Sequence, residues 1–367
     1  MYLEQLALQN FRNYTNVFLH SFSKMNIFYG LNAQGKTNLL EAIYVLCTLQ
    51  SFRTAQRKDL IHWQSQAARV EGHLRLAEIQ KKYTVVVESS AKTPSINDKD
   101  VYPLSAYREH LNVICFCPLD MQILQGGPHL RRRYLDRILF SFNPLYAHEA
   151  GKYIRVLLQR NRALQFGNKE EVLTWGETLI NYGAKIISKR LQFIEKLNTL
   201  TSNLYHAISG TEESLNVRYK TAINVCDFNY LSESDLGEKL RVCQQQLCSE
   251  EQRQKRSLVG PHLDDFEVFV GHKNLKHFGS QGEQRTAILT LKLTEFLISR
   301  EEKKTEPIFL LDDISSELDE HRRNFLFTEL NQQNAQVFLT STQNNLMDLN
   351  QHEARIYEVQ EGKILRK

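Results

Sequence analysis

Apolar and polar positions change their pattern twice along the chain. Over the first 117 residues alternation dominates. Tyr2–Leu8, Val17–Phe22, Lys24–Tyr29, Ala68–Leu76, Lys82–Ser89 and Leu111–Cys117 read as short strands. A run with helical spacing, Leu39, Leu40, Ala42, Ile43 and Leu46, interrupts them and predicts a helix ending near Leu49. Ser90 to Tyr102 is polar and reads as loop. Pro118 closes the last strand, because proline cannot donate to a central ladder.

From Pro118 to Gly210 the period is helical. Leu130–Phe142, Leu145–Phe166 and Glu170–Ile208 are predicted helices. In the third, Leu179, Ile180, Ile186, Ile187, Leu191, Ile194, Leu197 and Leu204 form one apolar stripe that needs a packing partner. Leu215–Ile223 fits a strand and Ser234–Gln252 a further helix. From Leu258 onward the α/β pattern returns. Strands are expected at Asp264–Val270, Asn274–His277, Pro307–Leu311 and Gln336–Thr340, helices at Gln284–Ser299 and Glu320–Gln332, and a hairpin around Glu361-Gly362. The expected organisation is an α/β domain in two pieces, 1–117 and 256–367, with an inserted, mainly helical lobe over 118–255.

Composition sharpens this only in part. A chain of 367 residues, 42% hydrophobic and 24% charged, has ample material for a core. No run of eighteen apolar residues predicts a membrane span. The start of the chain has no basic segment followed by an apolar one, so a cytoplasmic protein is expected. Six cysteines are scattered without a repeated C-x-x-C pair, which argues for reduced thiols and against zinc. A net charge of +4 is too small to argue nucleic-acid binding alone.

The chemistry is concentrated in three stretches. Gly30-Leu31-Asn32-Ala33-Gln34-Gly35-Lys36-Thr37 matches G-x-x-x-x-G-K-T, between a predicted strand and a predicted helix. Such a loop turns backbone N–H groups and a helix N-terminus toward an anion. Lys36 adds a point charge for the β- and γ-phosphates, and Thr37 supplies a hydroxyl for Mg²⁺. Ile308-Phe309-Leu310-Leu311-Asp312-Asp313 has the shape of a Walker B strand. It assigns Asp312 to Mg²⁺ and Asp313 to the attacking water. Asp312 follows Lys36 by 276 positions, a distance that an inserted lobe explains.

The third stretch, Gly279-Ser280-Gln281-Gly282-Glu283-Gln284-Arg285, precedes a predicted helix. It has the S-x-G-x-Q spacing of the ABC signature. Ser280 and Glu283 also make an ordinary capping box. As a signature, Ser280, Gly282 and the helix N-terminus contact a γ-phosphate held by a second protomer, which implies an ATP-dependent homodimer. Ser316-Glu317-Leu318-Asp319 fits the loop crossing that interface, and Thr340-Ser341-Thr342 ends the strand where a phosphate-sensing residue would sit.

Taken together, the chain resembles the RecF family of bacterial recombination-mediator ATPases, relatives of the SMC proteins. The resemblance rests on Leu8 to Tyr14, the phosphate loop, Gly126-Gly127-Pro128, Arg131-Arg132-Arg133-Tyr134-Leu135-Asp136, Gly260-Pro261-His262 with Asp264-Asp265, the signature, and Leu311-Asp312-Asp313 with Ser316 to Asp319. Leu263 stands where the family has arginine, and Glu283 where it has glutamine. The resemblance implies ATP and Mg²⁺ as cofactors, and Arg12 and Gln284 among the nucleotide contacts. It also implies DNA binding at gaps or junctions, weak ATP hydrolysis, and work with RecR, RecO and the RecA recombinase. Arg131, Arg132, Arg133, Lys152 and Arg155 are the candidate DNA contacts, with Arg160 and Arg162 beside them. An ATP-gated clamp with negligible turnover and a transporter-type cassette remain as alternatives. Asp313 in place of a longer glutamate favours slow hydrolysis.

Overall fold

The computed structural model describes residues 1–223, 231–313, 318–342 and 354–366. The chain separates into two compact units, residues 1–120 with 292–367, and residues 121–291. The first unit opens with β1 (Tyr2–Phe11), β2 (Tyr14–His20), β3 (Met25–Tyr29), α1 (Lys36–Thr48), β4 (Ala67–Leu76), β5 (Ile79–Glu88), β6 (Lys92–Ile96), β7 (Lys99–Asp100), α2 (Leu104–Arg108) and β8 (Val113–Phe116). The second contains α3 (Gln122–Gln125), α4 (Pro128–Phe142), α5 (Pro144–Phe166), α6 (Lys169–Ser209), β9 (Leu215–Lys220), α7 (Glu233–Gln246), α8 (Cys248–Gln254), β10 (Asp265–Val270), β11 (Lys273–Asn274) and α9 (Leu275–Phe278). Helix α10 (Gln281–Lys303) begins in the second unit and ends in the first. The first unit then closes with β12 (Ile308–Leu311), α11 (Glu320–Gln332), β13 (Gln336–Ser341), β14 (Ala354–Gln360) and β15 (Lys363–Arg366).

Among the described residues the first unit has two six-stranded sheets. One is antiparallel, in the order β2-β1-β4-β5-β6-β7. The other runs β15-β14-β3-β13-β12-β8 and is parallel except at β15. β3, β12 and β13 are buried along their whole length. Burial on both faces is why these strands read as unbroken apolar runs, whereas β4 alternates. Helix α1 is buried from Leu39 to Cys47 and shares one core with both sheets. Leu46 reaches the surface of β4 because Gly72 there has no side chain; a Cβ would collide with it. Truncating a buried leucine of this kind costs about 2–5 kcal/mol.

In the second unit, α5 and α6 are capped by Asn143 and Asn168, whose side chains accept from the amides of Tyr146 and Glu171. α6 ends at Gly210, in the left-handed conformation that glycine tolerates (φ 69°). The apolar stripe predicted for this helix finds partners: Ile180, Ala184 and Ile187 pack with Leu236 and Leu240 of α7 and with Val259. β10 pairs antiparallel with β9 from Asp265 opposite Lys220 to Val270 opposite Leu215.

That ladder explains one difference from the expected organisation. Residues 256–291 group with the second unit, not with the C-terminal piece, because β10 pairs with β9. The helix expected over Ser234–Gln252 is divided at Leu247. Asn274 caps a short helix, α9, where a strand was expected. The polar stretch after Ser90 holds the β6–β7 hairpin, whose turn residues Asn97 and Asp98 both have positive φ. Asn and Asp accept that geometry, which tight hairpins require. No helix among the described residues is long and apolar enough to cross a membrane. Among those residues the cysteines are free thiols and no metal-binding cluster forms; Cys226 lies outside them.

Candidate nucleotide site and signature helix

Three neighbouring parallel strands, β3, β13 and β12, end at the same edge of their sheet. β3 leads into the phosphate loop, β12 into Asp312 and Asp313, and β13 into Thr340 and Ser341. Ligand sites in open α/β sheets form at such carboxyl ends.

The loop's shape depends on its glycines. Gly30 has φ 153°, and a Cβ there would strike the Val359 carbonyl. Gly35 has φ 116°, caps α1, and leaves no room for a side chain beside Asn13 and Tyr14. Leu31, Asn32 and Ala33 lie exposed along the crest, and Gln34 is half-buried. Lys36 curls back into the loop and donates to the carbonyl oxygens of Gly30 (2.7 Å) and Leu31 (2.8 Å). Burial lowers its pKa, against the opposing pull of Asp313 and Asp312.

Asp312 is the point of convergence. Its Oδ1 accepts from Thr37 Oγ1 and from Thr340 Oγ1, each at 2.8 Å. The carboxyl is buried, which raises its pKa, while the two hydroxyls lower it. Asp313 stands in the left-handed region (φ 53°), and its amide donates to Thr340 Oγ1 at 2.8 Å. Gly30 to Thr37 and the two aspartates are therefore brought together.

The sequence reading missed the groups that support the loop. In the turn after β1, Asn13 Nδ2 donates to the Gln34 carbonyl (3.1 Å), and at the start of β2 Tyr14 Oη donates to the Gly35 carbonyl (3.0 Å). From the β14–β15 turn, the Glu361 amide donates to Gln34 Oε1 (2.6 Å) and the Gly362 amide to the Gln34 carbonyl (3.1 Å). Their signals were the stretch Leu8 to Tyr14, which carries part of the resemblance, and the hairpin expected around Glu361-Gly362, neither of which points to the loop. Arg12 is held by the fully buried Glu41, with Nε and one Nη at 2.8 and 2.7 Å. It lines an open cleft of about 960 Å³ together with Asn13, Asn38, Arg53, His62 and Trp63.

At the head of α10, Ser280 is exposed and forms the capping box. Its hydroxyl accepts from the Glu283 amide (3.2 Å), and the Glu283 carboxylate accepts from the Ser280 amide (2.7 Å). Lys273 donates to Glu283 at 2.7 Å, and that bond, followed by those from Ser280, pulls the Glu283 pKa down to about 2. The negative charge at this position is thus paired. Gly282 is half-buried. Gln284 does not face outward: it is buried, donates to the Leu275 carbonyl (2.8 Å) and accepts from Gln125 (2.9 Å). It shapes the turn before α10, and this corrects its expected place among nucleotide contacts.

The arginine run also divides. Arg131 is buried, with bonds to Asp265 at 2.6 and 2.9 Å and to the Gly126 carbonyl at 2.8 Å, so it ties α4 to β10 and is not on the surface. Arg132 is half-buried and donates to the Asp264 carbonyl at 2.7 Å. Arg133, Lys152, Arg155 and Arg162 are exposed, and Arg160 is buried against Glu251 and Ser257. Leu263 is exposed; Ser316 and Glu317 lie outside the described residues, and Asp319 caps α11.

A phosphate loop and paired carboxylates at adjoining strand ends, in a sheet flanked by an antiparallel one, define an ABC-type P-loop ATPase head. The family described as the RecF/RecN/SMC N-terminal domain matches residues 2–365. DNA replication and repair protein RecF of Geotalea uraniireducens is 37% identical over 370 residues, covering all of both chains. That of Halalkalibacterium halodurans is 36% identical over 375 residues, again covering both chains fully. A structure of the recombination mediator RecF with ATP superposes with a TM-score of 0.91 at 30% identity, over 100% of this chain and 97% of that one. An Smc head shares the fold, at a TM-score of 0.56 and 16% identity. The chain belongs to the RecF family.

Proposed function

We propose that this chain is an ATP-dependent, DNA-binding ATPase of recombinational repair, working in the cytoplasm and using slow hydrolysis as a switch. The observation that carries the reading is the 2.8 Å bond from Thr37 to Asp312, which joins the phosphate loop to the Walker B strand end. The RecF–ATP structure, described as a mediator of the RecFOR pathway, supports nucleotide binding by the same fold. A hydroxyl beside a buried carboxylate is an oxygen donor pair suited to Mg²⁺. Thr37 and Asp312 would hold that ion, which neutralises charge on the phosphates. Lys36 leaves the loop carbonyls for the β- and γ-phosphates, and Asp313 orients the water. Ser280 and the amides opening α10 serve the γ-phosphate of ATP on a second copy, so ATP closes a homodimer. DNA binding then falls to exposed cations such as Arg133, Lys152 and Arg155, with RecR and RecO as partners in delivering RecA to gaps.

Fluorescence anisotropy on a gapped duplex tests this. ATP is expected to tighten DNA binding well beyond ADP, and Lys36→Met to abolish that increment. Equal affinity with ATP, ADP and no nucleotide would contradict the switch.

A further inference from the structure

We infer that Thr340 is a positioning residue whose single hydroxyl aims both Walker B aspartates. The inference rests on the ATPase reading above and adds a residue to it. β13 is buried from Gln336 to Ser341, and Val337, Phe338 and Leu339 make its middle apolar. Thr340 follows them at 1% exposure, so its hydroxyl must be satisfied within the protein. The register places it: Leu311 of β12 lies opposite Leu339 of β13, so the next residue of each strand is Asp312 and Thr340.

A threonine hydroxyl has one proton to donate and lone pairs to accept. Here the proton goes to Asp312 Oδ1 at 2.8 Å, and a lone pair takes the Asp313 amide proton at 2.8 Å. With both roles committed to the aspartates, this hydroxyl is not a phosphate sensor. Two hydroxyls converge on Asp312 Oδ1, but they differ in standing. Thr37 belongs to the phosphate loop and is the one that serves the cation. Thr340 is sealed in the sheet and keeps Asp312 aimed when Thr37 changes partner. The second bond fixes a conformation that is otherwise disfavoured. Asp313 has φ 53°, a region that aspartate enters more readily than most residues but only where a local hydrogen bond holds it. The amide bond to Thr340 supplies part of that hold and sets the direction in which the Asp313 side chain leaves the backbone.

Two substitutions separate this role from packing. Thr340→Val keeps shape and β preference but removes the hydroxyl; Thr340→Ser keeps the hydroxyl and removes the methyl. A fluorescent ATP analogue is titrated with Mg²⁺ and with EDTA, and single-turnover hydrolysis is followed in parallel. Second-sphere partners of metal ligands typically contribute 10- to 100-fold. Thr340→Val is expected to bind nucleotide in EDTA as the unsubstituted protein does. It should lose about tenfold of the Mg²⁺-dependent gain and about 10- to 100-fold in hydrolysis. Thr340→Ser should stay close to the unsubstituted protein in all three. A Val variant that keeps the full Mg²⁺ gain and rate overturns the inference alone. So does a Ser variant as impaired as Val, which would assign the effect to the methyl. An unsubstituted protein that binds no nucleotide overturns the ATPase reading itself.

Discussion

The two units differ in what their motif-like charged residues do. In the first, Lys36 opens α1 and Asp312 follows β12, with hydrogen bonds that a ligand can exchange. In the second, several of the cations that look most like a binding surface are turned inward. Arg131 is spent on Asp265, Arg160 on Glu251 and Ser257, and Arg190 on Asp136, Tyr146, Tyr219 and the Pro261 carbonyl. The phosphate loop is specified by what its backbone must do, and only certain residues at certain spacings can do it. A row of arginines makes no such demand. Helical geometry sends neighbours to different faces, so Arg131 is buried and Arg133 exposed within one turn.

The inward-facing cations should therefore act on stability first. Arg160 and Glu251 are 3% and 1% exposed, a buried pair with Ser257 completing it. Arg160→Leu leaves the carboxylate uncompensated and is expected to cost about 3–5 kcal/mol in denaturant unfolding. A cost near zero would mean that this arginine is a surface group like Arg155.

Next in size is a pH effect. Burial raises the Asp264 pKa to about 6, so the folded state holds its proton more tightly than the unfolded chain. The stability this group contributes falls as pH rises from about 4 through 6 and is level above about 7. His262, two residues away, works in the opposite sense. Burial lowers its pKa to about 4, and stability rises as pH rises from there toward the usual histidine value. The two largely cancel. Asp264→Asn removes one side, so its stability relative to the unsubstituted protein should climb by on the order of 2 kcal/mol between pH 4 and 6. Parallel pH profiles for the two proteins would show that Asp264 does not titrate in this window.

Smaller effects separate the units through their glycines. Gly35, at φ 116° and pressed against Asn13, should lose about 1–3 kcal/mol and its nucleotide affinity as Gly35→Ala. Gly151, inside α5 with open space around it, should gain about 0.5–1 kcal/mol as Gly151→Ala. Equal responses in thermal unfolding would remove the distinction.

The same contrast explains what was legible in the chain. β3, β12 and β13 were plain because strands buried on both faces need continuous apolar residues, and α6 because one stripe recurs along its whole length. Thr37, Asp312 and Asp313 followed from fixed motif geometry. Thr340 was expected at this strand end, but its bonds to Asp312 and Asp313 were not legible, since a hydroxyl's partners depend on strand register. Asn13, Tyr14 and Gln34 stayed hidden as supports because the bonds they make join turns distant in sequence. Gln284 was misassigned because S-x-G-x-Q spacing does not say which way a side chain on the first helical turn points.

Ser280 carries the central claim, since it is both a helix cap and the proposed cross-subunit phosphate contact. Sedimentation of the unsubstituted protein and of Ser280→Arg, with and without Mg-ATP, tests it most directly, with ATP binding measured alongside. The account predicts that ATP dimerises the unsubstituted protein, while Ser280→Arg binds ATP and remains monomeric. A Ser280→Arg protein that dimerises normally would reduce this residue to a helix cap and contradict the ATP-sandwiched dimer.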